Sequence, residues 1–580
     1  MELEIRMDIQ QKLNRAFLIT FALLMGLGAH YFQHNQGGSG LELAQNNVVW
    51  IFFSILIGLG LWKITEAKKI FYSRLTIVFL IACILFFIPV FYPNNALAEQ
   101  SYTRLIGLFA GFLLFVSLQQ MRFSATFMKR LLLLIVLAGF LQACYSLMQD
   151  YLLPANNIFG YNVGYGRPYG IFQQPNVLAS FMATTLILAG YLLQKIECKK
   201  TQAFLLLTVV LNIWVIVVTI SRVAYLGGFL SLLLFIPWAW ENNRRKLIIF
   251  IIAIFIGIGC GAIKKDMLEI RSGHMENITQ DNKRVTKYTH SLSIIAAHPL
   301  LGSGYGSFEK VYLESYAQRV KNGEVPANSR HLTHPHNDSL YWAIEGGIVP
   351  VIAILLLIIG LLSTLKVFPI KKALSLLALV VPISLHTQTE YPLYHSALHW
   401  LVLIVLVFYI DNQSKTSQMK TFNRTFALRI FALLIPLFTA LFMVSNLYTI
   451  SKITQYERSK NPDIRLLIDI VNPLVFQDRF DFHLSNYRLG LAIQSNNKEE
   501  IKSVINWTEH TLETAPKSFF YVILYLAYIH DGQPEKAQQA LAYARYLFPR
   551  DAQLAKIDKP VASQSTQTTS NAISTSQATD

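Results

Sequence analysis

Apolar residues occur along this sequence in long runs that are bounded by charged residues. A helix needs about 20 apolar residues to cross the ~30 Å hydrocarbon core of a bilayer, where the backbone must satisfy its own hydrogen bonds. The runs therefore predict an all-α, polytopic membrane protein. We predict about thirteen spans, at 16–32, 47–62, 74–92, 102–119, 129–149, 177–194, 202–220, 223–240, 246–263, 339–363, 372–386, 395–410 and 427–447.

The connections between these runs differ in their content of basic residues. One alternate set holds twenty-two Lys and Arg, whereas the short connections of the other set hold only Arg167 and Arg222. Because connections rich in Lys and Arg stay in the cytoplasm, the first set is predicted to be cytoplasmic, together with the N-terminus. An odd number of spans then places the region from about 448 on the periplasmic side of an inner membrane.

Composition supports the same class of protein. Hydrophobic residues make up 53% of the chain and charged residues 14%, whereas soluble proteins average about 25% charged residues. The net charge of +16 arises largely from the cytoplasmic connections, so it does not indicate a nucleic-acid site. All four cysteines fall in or beside predicted spans, so disulfides are not expected to organise the outer segments.

Two large segments are predicted to lie outside the membrane, a loop and a C-terminal tail. In the tail, Tyr487–Pro516 and Phe519–Pro549 each have the pattern of a helical hairpin, and the second resembles a tetratricopeptide repeat. The last twenty residues are almost entirely small and polar, a composition typical of disorder. The predicted segments are 1–263 (nine spans), 264–338 (periplasmic loop), 339–447 (later spans), 448–560 (periplasmic helical domain) and 561–580 (disordered tail).

The outer connection before the sixth span, Arg167–Asn176, is the first candidate site. Its Gly and Pro residues favour turns, and Gln174 and Asn176 offer neutral hydrogen-bonding groups that suit sugar hydroxyls. Asn176 alone has a second interpretation, as the cap of the following helix.

Two charges lie at membrane level in otherwise apolar or neutral surroundings. Arg222 follows Thr219-Ile-Ser within a long apolar stretch, and Glu390 lies in a short outer turn before Pro392. Arg222 could reach the lipid headgroups, or it could bind an anionic substrate with two hydrogen bonds to phosphate oxygens. Glu390 could balance Arg222, orient a histidine or contact a sugar.

Three histidines, His331, His334 and His336, precede Asn337 and the apolar run from Leu340. They could form a metal site, although no Cys or pair of carboxylates with ligand-like spacing lies nearby. They could also belong to a solvated loop. The third interpretation is a general base, because an unperturbed histidine titrates near pH 6.5 and accepts a proton at neutral pH.

Together these segments resemble the O-antigen ligase and polymerase superfamily, and most closely its protein O-oligosaccharyltransferase branch of the PglL type. The family pattern of His-Asn, nine residues and Gly is met by His336, Asn337 and Gly347, although Pro350 departs from the small or polar residue common at that position. Arg284, ahead of the loop His298–Gly306, matches a family arginine. Arg167–Asn176 matches a motif of the protein-glycosylating branch, and Thr219–Arg222 matches the family's Ser-Arg at the membrane face.

The resemblance implies a glycosyltransferase that needs neither metal nor other cofactor. Its donor would be an oligosaccharide on undecaprenyl diphosphate, and its acceptor a Ser or Thr hydroxyl of an exported protein such as a pilin. His336 would take the hydroxyl proton, while Arg222 and Arg284 would bind the diphosphate. Residues implied to contact the glycan or acceptor are Arg167, Gln174, Asn176, Asn337 and Glu390.

Two other activities within the superfamily are ligation of O-antigen to lipid A core and polymerisation of O-units. A lipid-linked glycan transporter is the alternative from a different class. Transporters often consist of paired halves with broken helices, and we find no internal repeat of that kind in the sequence.

The charge bias generates a topology prediction. A reporter active only in the periplasm should work when fused after Ser303 or Thr568 and fail after Lys199 or Lys415, as measured by reporter activity in whole cells. An active fusion at Lys415 would place the tail in the cytoplasm and contradict the predicted orientation.

Overall fold

The predicted all-α fold is confirmed in a computed structural model, which describes residues 2–93, 95–272, 277–327 and 332–557. A two-stranded antiparallel sheet pairs β1 (Lys69–Tyr72) with β2 (Gln418–Thr421). The helices are α1 (Glu2–Gly26), α2 (Ala44–Ala67), α3 (Arg74–Phe87), α4 (Tyr102–Met121), α5 (Ala125–Tyr151), α6 (Pro175–Leu193), α7 (Lys199–Thr219), α8 (Arg222–Asn242), α9 (Arg244–Ser272), α10 (Asn277–Ala297), α11 (Phe308–Lys321), α12 (Asp338–Gly346), α13 (Ile348–Leu365), α14 (Ile370–Leu377), α15 (Val381–His386), α16 (Pro392–His395), α17 (Ala397–Ser414), α18 (Thr425–Arg458), α19 (Arg465–Ile468), α20 (Gln477–Gln494), α21 (Lys498–Thr514), α22 (Ser518–Asp531), α23 (Pro534–Leu547) and α24 (Ala552–Lys556).

Twelve helices among the described residues are long and apolar enough to cross a membrane. The predicted run 372–386 is not among them, because it forms two short helices, α14 and α15, separated by a turn at 378–380. Pro382 lies in the first turn of α15, where it lacks the N–H that would continue a helix and its ring would clash with the preceding turn. The prediction of one continuous helix over 372–386 is therefore wrong.

The broken segment nevertheless runs along most of the length of α6. At one end the Lys372 ammonium donates to the hydroxyl of Tyr191, in the last turn of α6. At the other end His386 lies 2.8 Å from the hydroxyl of Ser180, near the start of α6. The segment thus connects the two ends of the helical bundle without a continuous helix.

The predicted run 339–363 is also divided. Gly347 separates α12 from α13 with a φ of +66°, a conformation that side chains with a Cβ rarely adopt. A Cβ at Gly347 would collide with the backbone of Leu300 and Gly302. Hydrogen bonds from the loop that contains Gly302 stabilise the break between α12 and α13. Among them, the Ser303 N–H donates to the Ile344 carbonyl at 2.8 Å.

Helix α6 forms the centre of the bundle, and 94% of the residues in its most apolar stretch are buried. Other spans surround it, with α7, α8 and α5 packed directly against it. Because α6 contains only apolar and hydroxyl-bearing residues after Asn176, it is suited to a position enclosed by other helices. Its first turn therefore presents polar residues at one end of the bundle.

After α18 the chain forms helical hairpins, α20–α21 and α22–α23, with a shared apolar core. Helix α11 contributes Leu313 and Ala317 to that core. Two tyrosines of α23 also bond to α11: the Tyr546 hydroxyl donates to Gln318 at 3.0 Å, and the Tyr543 hydroxyl to Glu314 at 3.3 Å. The tail helices thus pack on the loop between α9 and α12, whereas the predicted disordered tail 561–580 lies outside the described residues.

Candidate active site

Glu390 lies in the turn between α15 and α16, and its side chain is only 10% exposed. Its Oε1 accepts hydrogen bonds from Asn176 Nδ2 at 2.6 Å and Arg284 Nη2 at 3.4 Å. Its Oε2 accepts from Gln174 Nε2 at 2.8 Å and lies 3.3 Å from His386 Nε2. Four polar side chains from three regions of the chain therefore converge on one carboxylate.

The local sequence explains how the first turn of α6 reaches Glu390. Gln174 is the N-cap of α6, since its Oε1 accepts the Val177 N–H at 2.8 Å, and Pro175 follows at the first helical position. The amide nitrogen of Gln174 then remains available to donate to Glu390. The capping role considered for Asn176 belongs to Gln174, and Asn176 binds the carboxylate instead.

Arg167 links this network to the turn between α7 and α8. Its Nε donates to the Thr219 carbonyl at 2.7 Å, and its Nη2 donates to Asn176 Oδ1 at 3.2 Å. The turn itself contains Ile220 with a φ of +51°, and Arg222 begins α8 with its side chain exposed. The segments around Arg167, Arg222 and Glu390 thus meet at one end of the bundle.

His336 lies beside this network on a tightly held loop. Its own φ is +59°, an uncommon backbone conformation in which histidine is enriched among non-glycine residues. Its carbonyl accepts from the Tyr288 hydroxyl at 3.0 Å, and the next residue, Asn337, donates to the Gln388 carbonyl at 2.9 Å. Asn337 also caps α12 by accepting the Leu340 N–H at 2.9 Å.

The His336 imidazole makes no hydrogen bond to any residue that the structure describes. Burial lowers the pKa of His336 to about 4, and the positive charge of Lys287 acts in the same direction, against the opposing effect of Glu390. Burial alone would raise the pKa of Glu390, but the hydrogen bond and charge of His386, with the Asn176 amide, lower it to about 2. At neutral pH His336 is therefore neutral and Glu390 is ionised, and the two groups are close enough to interact electrostatically.

His334 holds the backbone of His336 in place by a hydrogen bond. Its Nδ1 accepts the backbone N–H of His336 at 2.9 Å, so its Nε2 carries the proton and donates to Asp338 Oδ1 at 3.1 Å. Both side chains are buried. Because both ring nitrogens of His334 are engaged, this residue does not offer a lone pair to a metal, and His331 lies outside the described residues.

Sequence reasoning missed a buried ion pair between Arg104 of α4 and Glu345 of α12. The Arg104 guanidinium carbon lies 4.4–4.7 Å from the ring centroids of Trp342, Tyr341 and Tyr305. A usable signal was present, because each residue is the only charge in its predicted apolar run. Charges within spans usually pair with one another.

The fold and this site define a polytopic membrane protein with a histidine, a carboxylate and arginines gathered at one end of its helical bundle. Three family models match separate parts of the chain: a protein glycosylation ligase at 168–193, an O-antigen ligase at 207–355, and the C-terminal part of a virulence factor membrane-bound polymerase at 374–562. The chain is also similar to a general O-oligosaccharyltransferase of Acinetobacter baylyi, at 24% identity over 420 residues that cover 68% of this chain and 69% of the relative.

These matches support the assignment of the chain to the PglL-type branch of the O-antigen ligase superfamily, which its motifs resemble. Gln174 and Asn176 lie in the first matched segment, Arg284 and His336 in the second, and Glu390 in the third. The three separately matched segments are thus joined in space by the hydrogen bonds to Glu390.

These contacts generate a stability prediction for Glu390→Gln. Glutamine keeps the size of the side chain but removes the charge opposite Arg284, so unfolding should become easier by about 1–3 kcal/mol. Because the folded-state pKa of Glu390 is depressed, its contribution is present above about pH 4.5 and is lost as pH falls toward about 2.

Thermal unfolding of the purified protein between pH 7 and pH 3 measures this effect. The difference in midpoint between wild type and variant should shrink as the pH falls. Glu499→Gln, an exposed carboxylate in the tail, is the control and should match wild type. Equal midpoints for wild type and Glu390→Gln at pH 7 would show that Glu390 does not hold the three segments together.

Proposed function

We propose that this protein transfers a preassembled oligosaccharide from undecaprenyl diphosphate to Ser or Thr hydroxyls of exported proteins, such as a pilin. The reaction would take place at the periplasmic face of the inner membrane, with the N-terminus in the cytoplasm and the tail helices in the periplasm. The observation that carries the proposal is the neutral, partly exposed His336 imidazole beside Arg284 and Glu390 at one end of the bundle.

In the proposed reaction the acceptor hydroxyl oxygen attacks the anomeric carbon of the first sugar. A new carbon–oxygen bond forms as the bond to the diphosphate breaks, and undecaprenyl diphosphate leaves with the electron pair. The hydroxyl proton passes to the unoccupied ring nitrogen of His336, which is neutral at physiological pH because its pKa is low. No metal is required by these steps.

Arg284 and Arg222 are proposed to bind the diphosphate as its negative charge increases. Arg284 is 32% exposed and its bond to Glu390 is long, at 3.4 Å, so it can rotate toward a ligand while remaining near the carboxylate. Fixed cations at the position where charge develops contribute strongly to catalysis. Glu390 in turn would stabilise the imidazolium that forms on His336.

The structure changes the roles proposed for the amide residues. Gln174, Asn176 and Asn337 use their amide groups to cap helices, to bind Glu390 or to hold the turn after α15. We therefore propose that they and Arg167 position Glu390 and His336, whereas direct contact with the glycan is made by other groups.

Two related activities share this site chemistry, namely ligation of O-antigen to lipid A core and polymerisation of O-units. The match to a protein glycosylation ligase at 168–193 and the oligosaccharyltransferase relative favour protein as the acceptor. A transporter for lipid-linked glycan would not require an imidazole that, among the described residues, has no hydrogen-bond partner and lies near a fixed carboxylate. Intact-mass analysis of an acceptor protein incubated with the purified enzyme and its lipid-linked donor distinguishes these activities, since only a protein transferase adds the mass of the glycan to the acceptor.

The base assignment predicts that His336→Ala remains abundant in the membrane but transfers glycan on the order of 10² to 10⁴ times more slowly. The wild-type rate should be flat near neutral pH and fall as the pH drops toward about 4, because protonation removes the acceptor lone pair. The measurement is glycan transfer by purified enzyme. His298→Ala, an exposed histidine of the same loop, is the control, and a His336→Ala variant as active as this control would rule out the base.

The arginine assignment predicts a graded response. Arg284→Ala and Arg222→Ala should each lower kcat/KM for the lipid-linked donor by at least about tenfold. The corresponding Lys variants should recover only part of the lost kcat/KM, since Lys cannot bind two oxygens in a planar fork. Lys321→Ala, an exposed cation of the same loop, should have no effect. Full activity in Arg222→Ala would leave that residue as a headgroup anchor.

A further inference from the structure

Two lysines meet at the end of the bundle opposite Glu390. Lys195 follows the last turn of α6, and Lys372 lies in α14, the first half of the broken segment. Lys195 Nζ donates to the Tyr409 hydroxyl at 2.9 Å, and Lys372 Nζ donates to the Tyr191 hydroxyl at 2.5 Å. The two tyrosine hydroxyls lie 3.0 Å apart, so the four groups form one connected chain.

Aromatic rings hold both ammonium groups in place. Lys195 and Lys372 lie 4.5 and 4.4 Å from the centroid of the same Tyr191 ring, and Lys372 also lies 4.3 Å from the Trp238 ring. Tyr191 is fully buried and Tyr409 almost so, whereas both lysines are partly exposed. The two lysines therefore pack on buried aromatic rings and remain partly exposed.

This cluster has more hydrogen-bond donors than acceptors. When protonated, each lysine has three donors and no acceptor, and each tyrosine oxygen already accepts from a lysine. Burial and the adjacent charge of Lys195 lower the pKa of Lys372 to about 6, so an anion bound between the two lysines would favour the charged form of Lys372. One hydroxyl hydrogen is used between the tyrosines, which leaves the other free to donate. Among the described residues no carboxylate lies within ion-pair distance of Lys195 or Lys372, although neighbouring Lys371 pairs with Glu241 and Lys246 with Glu197.

The position of the cluster in the bundle indicates its surroundings. Tyr191, Trp238 and Tyr409 lie toward the ends of the spans α6, α8 and α17, at the end of the bundle that carries most of the basic connections. Lys and aromatic side chains at span ends lie at the level of the lipid headgroups. A group bound there would approach from the headgroup layer or from the adjoining water.

We propose that Lys195, Lys372, Tyr191 and Tyr409 form a binding site for a phosphate ester, the headgroup phosphate of an anionic lipid or a soluble phosphate. Several anionic oxygens on one group would accept the spare donors and offset the repulsion between the two cations. Because the site joins α14 to α6 and α17, its ligand would stabilise the broken segment whose other end carries His386. The inference does not depend on the proposed transferase activity.

The test is a lipid titration of the purified full chain, followed by native mass spectrometry. Phosphatidylglycerol should bind at a saturable site, with zwitterionic phosphatidylcholine as the reference. Lys195→Gln and Lys372→Gln should each bind phosphatidylglycerol roughly tenfold more weakly, the loss expected for one charge-assisted hydrogen bond. Lys371→Gln, which alters a neighbouring exposed lysine paired with Glu241, should bind as wild type does.

A second measurement separates ligand loss from misfolding. In phosphatidylcholine alone the Lys195→Gln and Lys372→Gln variants should have thermal unfolding midpoints close to that of wild type, because the loss of one lysine contact is offset by the loss of repulsion between the two lysines. Competition by millimolar inorganic phosphate would support the site and identify its ligand as soluble. Wild-type affinity for phosphatidylglycerol in both variants, or equal weakening in Lys371→Gln, would overturn the proposal.

Discussion

An ionised carboxylate that is removed from water must be compensated by hydrogen bonds and opposite charge, since its uncompensated burial is costly. Glu390 meets that requirement through Gln174 and Asn176 on α6, Arg284 on α10 and His386 on α15. These partners come from helices that are distant in sequence. The compensation of one charge therefore joins α6, α10 and α15 at the site.

The breaks in helical structure are consistent with this requirement. The turn at Ile220, the Gly347 break and the turn after α15 leave backbone groups free of helical hydrogen bonds, and several of these groups serve the site. The Thr219 carbonyl binds Arg167, and the Gln388 carbonyl binds Asn337. Irregular backbone is tolerated at membrane depth only where other protein groups or water satisfy it. The polar site supplies those partners.

A second group of charges lies at the opposite end of the bundle, where Lys195 and Lys372 contact a buried tyrosine pair. The segment formed by α14 and α15 connects the two ends, with Lys372 near its start and His386 at its end. A break in the middle of a span costs backbone hydrogen bonds, and contacts with α6 and α8 compensate for part of that loss. Ligand binding at one end and positioning of Glu390 at the other thus depend on the same segment.

The sequence by itself determined the class of protein, because apolar run length and helix formation are local properties that a bilayer constrains strongly. It also identified Arg167, Asn176, His336 and Glu390 as unusual, since polar groups at membrane level require a function or a partner. The single continuous helix expected over 372–386 was wrong, because Pro382 acts together with a turn whose hydrogen bonding depends on neighbouring helices.

Only the tertiary structure decided how the polar residues are paired. Glu390 is more than 200 residues from Gln174, and Arg104 is 241 residues from Glu345, so neither pairing is encoded in a local pattern. The same holds for the division of roles between Gln174, which caps α6, and Asn176, which binds the carboxylate. Such pairings arise when many helices pack together. A buried polar group must then form a hydrogen bond with a partner that packing has brought within reach, because burial without a partner is unfavourable.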